Sequence, residues 1–176
     1  LQAKGLTYTL GELLGDEALG HRYRNGAYAT LRLTSTMYHR FHAPADCEVD
    51  RVTYISGDTW NVNPIAVKRI ERLYCRNERA VVHLRLGTSG ESLLLVPVAA
   101  ILVASIHFGF LPTPLDLTHR GVHDIACRAA FGRGDEMGHF RHGSTIIVLA
   151  SPGLRLGDHV REGATVRVGE ALLRYR

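Results

Sequence analysis

Lysine is almost absent from this chain. Its 176 residues hold Lys4 and Lys68 and no other, so the 21 basic side chains are nearly all arginine. Chemistry that needs a reactive amine therefore has few candidates. Cysteine is scarce too. Cys47, Cys75 and Cys127 are odd in number, far apart and without CxxC spacing, which argues against a disulfide framework or a structural zinc site and suits a reducing compartment. Long apolar runs are missing: the longest, Leu93–Ile106, is about 14 residues and contains Pro97. A spanning helix needs roughly 20, so no transmembrane segment is expected and any membrane contact would be peripheral. The opening LQAKGLTYTL lacks the basic-then-apolar pattern of a signal peptide. Strong charge of one sign is also lacking. A net charge of +4 is no nucleic-acid footprint, and it fits an anionic surface equally well.

What is present is globular: 45% hydrophobic and 22% charged, in a length that suits one domain. Thr9 can cap a short helix ending at Leu13–Leu14 before Gly15, and Asp16 a second one ending near Gly20. After Asn25-Gly26 the pattern alternates with period two from Ala27 to Thr34, which predicts a strand. Beyond it, turn signals recur every ten residues or so. They separate the leucine-rich or β-branched runs Ala80–Leu86, Ser92–Val98, Ile101–Ile106 and Thr145–Leu149. Val67–Leu73 reads as a short helix and 113–130 as a loop. The fold expected over residues 1–176 is mainly β (α+β): a single antiparallel sandwich or barrel-like domain with short N-terminal helices. The glycine-valine rhythm of Gly157–Tyr175 is that of lipoyl and biotinyl carrier domains, but no lysine follows Lys68 to carry such a group.

Two HxxH pairs, His39/His42 and His139/His142, raise the question of a metal. Three-residue spacing puts two ligands on one face of a helix but on opposite faces of a strand. Both pairs fall in strand-and-turn sequence with no HExxH or Cys/His ladder, so no metal site is expected. Gly143-Ser144-Thr145 enters the apolar run Ile146–Leu149 after a glycine-rich approach from Gly134. It is not a GxSxG elbow, and alone it reads equally as a turn with two small polar residues. A Gly–Ser bond held in a strained turn can also be attacked by its own serine hydroxyl, since glycine hinders that N→O acyl shift least.

Six segments in order carry a resemblance. They are Lys4-Gly5-Leu6-Thr7-Tyr8, Tyr38-His39-Arg40-Phe41-His42-Ala43-Pro44, Val62-Asn63-Pro64, Asn77-Glu78-Arg79, Val98-Ala99-Ala100 with Val103-Ala104-Ser105-Ile106, and Gly134 to Thr145. Together they resemble the phosphatidylserine decarboxylase proenzyme family over essentially the whole chain. The resemblance implies self-cleavage, with Ser144 attacking the Gly143 carbonyl. A β chain (1–143) and an α chain (144–176) would result, the latter beginning with a pyruvoyl group made from Ser144. That ketone would form a Schiff base with the substrate amine and take up the electrons left as CO2 departs. By motif position, His42 is the expected acid/base that also activates the serine, and His39 the residue that handles substrate. Glu136 and Thr145 would support the processing loop, His142 would place a titratable group beside the scissile bond, and Asn77 and Glu78 would be architectural. The implied reaction converts phosphatidylserine to phosphatidylethanolamine. Its implied setting is the cytoplasmic face of a bacterial inner membrane, with a peripheral protein on an anionic surface, its two cleaved chains kept together, room for a homodimer, and no nucleic acid.

The sequence also departs from the family pattern. Met37 stands where an Asp precedes YHR, and Ala99 and Ala104 replace glycines. The family's PADG-like element, whose aspartate orients the catalytic histidine, belongs upstream of the KG motif, yet Leu1 lies only three residues before Lys4. The expectation is an N-terminally truncated member, either a fragment or a shortened homologue with impaired processing. Two other readings stay open: a pyruvoyl-dependent decarboxylase of a soluble amino acid, and an unprocessed, non-catalytic domain of the same fold.

Overall fold

A computed structural model describes residues 2–3, 6–87, 89–101, 106–111, 115, 120–141 and 144–176. The chain begins with β1 (Gln2–Ala3), β2 (Leu6–Thr7), α1 (Leu10–Leu14) and α2 (Glu17–Arg22), then β3 (Ala27–Leu33), β4 (Arg40–His42) and β5 (Cys47–Ile55). Next come α3 (Pro64–Arg69), α4 (Leu73–Arg76), β6 (Arg79–Leu86), β7 (Ser92–Val98) and β8 (Ile106–Phe108). The last elements are β9 (Val122–Phe131), β10 (Glu136–Phe140), β11 (Ser144–Ala150), β12 (Leu154–Leu156) and β13 (Leu173–Tyr175).

Six antiparallel strands make the main sheet, in the order β3-β11-β7-β6-β5-β9, and a second sheet has the order β4-β10-β8. Both are open sheets, so the sandwich expectation holds and the described strands close no barrel. The leucine- and isoleucine-rich runs of β7 and β11 lie side by side inside the main sheet, away from its edges, and β11 is buried along its whole length. Continuous apolar sequence suits a strand covered on both faces. On one face, Leu93, Leu95, Ile146 and Val148 join Phe41, Ile106, Met137 and Phe140 of the small sheet in one core. On the other, Leu94, Val96, Ile147 and Leu149 pack against Leu13, Leu14, Leu19, Leu73 and Tyr74 of the helices. The apolar positions of β5 change parity from Cys47 and Val49 to Val52 and Tyr54. A register shift between Val49 and Arg51 absorbs that change and keeps all four in the same core.

The N-terminal helices form as their caps dictate. Thr9 and Glu12 make a reciprocal capping box, Gly15 ends α1 in the left-handed region, and the Asp16 side chain accepts from Leu19 N. Three expectations need correction. The helix placed at Val67–Leu73 is two helices, because the Asn63 side chain caps at Ala66 N and Pro64 takes the first helical position. The loop expected over 113–130 ends in the ten-residue strand β9. The inward row of β9, Ile125, Cys127, Ala129 and Phe131, is only partly buried at a sheet edge and too weakly apolar to announce itself. Ile101, expected within a strand, is a bend with φ +70°. Among the described residues no helix is long and apolar enough to cross a membrane.

Candidate active site

Ser144 opens β11, in register with Leu33 of β3, while its neighbour Thr145 lies opposite Val98 of β7. Both hydroxyl residues are fully buried. Strand alternation gives Ser144 the face of Ile146 and Val148, toward the small sheet, and gives Thr145 the helix-covered face. Ser144 Oγ donates to the Val98 carbonyl oxygen. Thr145 Oγ1 is buried without a hydrogen-bond partner of good geometry. Burial pushes the Tyr74 phenol above its ordinary value, and the nearby Thr145 hydroxyl opposes that rise. Gly143 and His142 lie outside the described residues.

Val98 is held from behind by the Asn77-Glu78-Arg79 segment. Asn77, fully buried, donates from Nδ2 to the carbonyls of Trp60 (2.7 Å) and Ala99 (2.8 Å), and accepts from Trp60 N at Oδ1. The Glu78 carbonyl accepts from Ala99 N at 2.8 Å. Arg79 pairs with Val98 across β6 and β7. Its guanidinium, 3% exposed, meets carbonyls alone: Leu13 at 2.7 Å, Glu12 at 2.9 Å, Cys75 at 2.6 Å and Asn77 at 3.0 Å. These belong to the last turns of α1 and α4, whose carbonyls have no partner within their own helix. Burial pushes Arg79 down to about 10, which leaves it charged at neutral pH. The segment is therefore architectural in a specific way. One cation ends two helices and fixes the strand whose neighbour receives the Ser144 hydroxyl.

The two histidines of the YHRFHAP segment separate. In β4, Phe41 points into the core, so His42 and Arg40 point away from it. His42 Nδ1 lies 2.8 Å from the Gly134 carbonyl and Nε2 lies 2.7 Å from the Tyr38 hydroxyl, whose ring is nearly parallel to the imidazole. A carbonyl oxygen only accepts, so Nδ1 donates to Gly134, while Nε2 meets the Tyr38 hydroxyl. Gly134 presents that carbonyl from a backbone at φ +91°, a conformation that favours glycine. Neither His42 nor His39 is hydrogen-bonded to Ser144. His39 lies at the other end of the ladder. Its carbonyl accepts from Phe140 N, four residues before Ser144, and its Nε2 is buried without a partner.

Glu136 is paired with Arg40 and lies 4.0 Å from His139 Nδ1. It therefore braces β4 against β10 at the strand leading to Ser144. Gly138 follows in β10, where a Cβ would overlap the His107 carbonyl oxygen and the Phe41 ring. Burial pushes the thiols of Cys47 and Cys75 up to about 11 and raises that of Cys127, so no cysteine is poised as a nucleophile. Among the described residues no group of three or more His, Cys, Asp or Glu converges as a metal-ligand set. Sequence reasoning missed the Val98 carbonyl, the Tyr38 partner of His42 and the double cap by Arg79. Tyr38 alone left a signal, four residues before His42.

Comparison with known proteins follows the same residues. The model of the phosphatidylserine decarboxylase family matches residues 1–174. The chain is 39% identical to a phosphatidylserine decarboxylase proenzyme of Anaeromyxobacter sp. (strain K), over 98% of this chain and 62% of that protein. It is 37% identical to the proenzyme of Myxococcus xanthus (98% and 61%) and 34% identical to that of Brevibacillus brevis (98% and 62%). The chain thus spans less than two thirds of the length of these relatives.

Proposed function

The chain belongs to the phosphatidylserine decarboxylase family, and on that premise we propose that it is the catalytic domain of a self-processing decarboxylase acting on phosphatidylserine at an anionic membrane surface. The observation that carries the reading is Ser144 itself: a buried serine in the family's Gly-Ser-Thr motif, at the head of β11, its hydroxyl aimed at the backbone carbonyl that ends β7.

In self-processing, the bond from Ser144 Oγ to the Gly143 carbonyl carbon forms as the amide C–N bond breaks, and the hydroxyl proton passes to the freed nitrogen. Loss of the Ser144 Cα proton then expels the Gly143 carboxylate from Cβ, and hydrolysis of the remaining dehydroalanine releases ammonia. Ser144 is fully buried, shielded from water as a reactive ketone there would need to be, and His39 Nε2 is a buried polar atom without a partner, so the residues present fit a pyruvoyl group at this position. Such a group supplies a ketone that withdraws electrons from a bound amine.

The chain's own residues supply the rest. His39, with its open and buried Nε2, would contact substrate from the end of the β4–β10 ladder nearest Ser144 in sequence. His42, with Nδ1 tied to the Gly134 carbonyl and Nε2 on the Tyr38 hydroxyl, would move protons, a task that suits a histidine. The cytoplasmic face of the inner membrane is the proposed location, with residues 1–143 and 144–176 as the two chains after cleavage. CO2 release from short-chain phosphatidylserine, measured against free serine, tests the substrate. Turnover of the lipid alone supports the reading, whereas turnover of serine alone makes this a soluble amino-acid decarboxylase.

A further inference from the structure

We propose that the surface formed by Trp60, Ile101 and the exposed side of α3 is where this domain docks on an anionic lipid bilayer. The inference rests on the lipid-substrate reading above and adds the face that meets the membrane. Trp60 is the only tryptophan of the chain and is 46% exposed. It shares one shallow depression with Asp58, Thr59, Asn61 and Ile101. Ile101 is 54% exposed and tied back by its N–H to the Thr59 carbonyl at 2.8 Å. Ile65 follows the Asn61–Asn63 turn at the second position of α3 and is 62% exposed.

Single exposed apolar residues are ordinary, but Ile101 is not. It sits at φ +70°, where a β-branched residue is strained and glycine or asparagine is the usual occupant. The fold spends strain to hold an isoleucine out in water, which has a use if the side chain enters an apolar phase. In the depression itself the Asp58 carboxylate is offset by Arg76, which pairs with it at 3.3 Å, and the cations of α3 then fit a lipid headgroup layer. Lys68 and Arg69 lie three and four positions beyond Ile65 on the same side of α3, and neither is in an ion pair among the described residues. The Arg76 guanidinium lies 5.9 Å from the centre of the Trp60 ring. Half-exposed indole, protruding aliphatics and flanking cations are the composition of an interfacial anchor. The location also suits a lipid substrate: Ile101 is three residues beyond Val98, which holds the Ser144 hydroxyl.

Trp60 reports directly on the contact. The purified chain is mixed with phosphatidylcholine vesicles with or without phosphatidylglycerol, an anionic lipid that is not the substrate, while tryptophan emission is followed. The expected result is a blue shift with the anionic vesicles, weakened by salt and nearly lost with phosphatidylcholine alone. Ile101→Gly relieves the strained backbone, so its melting temperature should be unchanged or raised. Its partition should nevertheless fall about tenfold, as should that of Ile65→Ser. Lys68→Gln should lower partition about fivefold. Emission that stays fixed when anionic vesicles are added overturns the proposal, as do Ile101→Gly and Ile65→Ser variants that partition like the parent. Turnover of short-chain phosphatidylserine below its micelle concentration separates the two claims. If it persists while Trp60 is silent, only the docking face is wrong, and if it is absent the lipid-substrate reading has failed.

Discussion

The Ser144 hydroxyl donates to the carbonyl oxygen of Val98, across the neighbouring strands β11 and β7 of the main sheet. That bond is made by the nucleophile of the proposed self-cleavage, and its acceptor is held by the buried Asn77-Glu78-Arg79 segment. Whatever loosens the segment should loosen the serine.

Arg79 is the first place to test this. Arg79→Met removes four hydrogen bonds and leaves buried helix-end carbonyls unpaired. The expected cost is about 3 kcal/mol, measured by urea denaturation. Arg79→Lys should recover only part of it, because an ammonium cannot span the ends of two helices as a planar fork does. A Met variant as stable as the parent would remove Arg79 from the framework.

His39 and Tyr38 separate substrate handling from proton transfer. His39→Ala should leave cleavage intact and cut decarboxylation by about a hundredfold, in the range of a lost acid–base or contact group. Tyr38→Phe removes only the hydroxyl on His42 Nε2 and lies on the surface. It should fold normally and change the cleavage rate by less than about tenfold, the worth of one hydrogen bond. Gel-resolved cleavage and CO2 release, measured on the same samples, check both.

His83 should make stability fall in mild acid. Burial, with the Arg51 guanidinium adding to it, pushes this imidazole from 6.5 down to about 4 in the folded state. Below pH 6.5 the unfolded chain takes up a proton that the folded chain refuses, so stability present above that pH declines until about pH 4 and then levels off. The partial exposure of His83 limits the loss to about 1–2 kcal/mol. Urea melts at pH 7 and pH 4.5 should show that drop in the parent and a smaller one in His83→Gln.

Gly138 has no room for a side chain. Gly138→Ala should destabilise the small sheet by about 2 kcal/mol or prevent folding, because β8 backbone and the Phe41 ring both occupy the Cβ position. Loss of a cooperative melt is the readout.

The middle of the fold could be read from the sequence because β7 and β11 are buried on both faces and so carry unbroken apolar runs. The helix starts were legible because Thr9 and Asp16 cap by local bonds. Strand β9 was not, since an edge strand with alanine and cysteine on its inner row carries little hydrophobic contrast. At the site, Ser144, His39 and His42 could be named as candidates from motif letters. Their arrangement did not: which side of β4 each imidazole occupies is decided by the burial of Phe41 between them, and the Val98 acceptor is a backbone atom that no residue type advertises.

The central claim is that the Gly143–Ser144 bond breaks itself. Intact mass of the purified chain, with phenylhydrazine labelling, measures this directly. The account predicts that the 19.5 kDa species converts to two fragments parting between residues 143 and 144, with the label on the smaller, and that Ser144→Ala stays whole and unlabelled. A parent protein that remains at its full mass and takes no label, just as Ser144→Ala does, would contradict it.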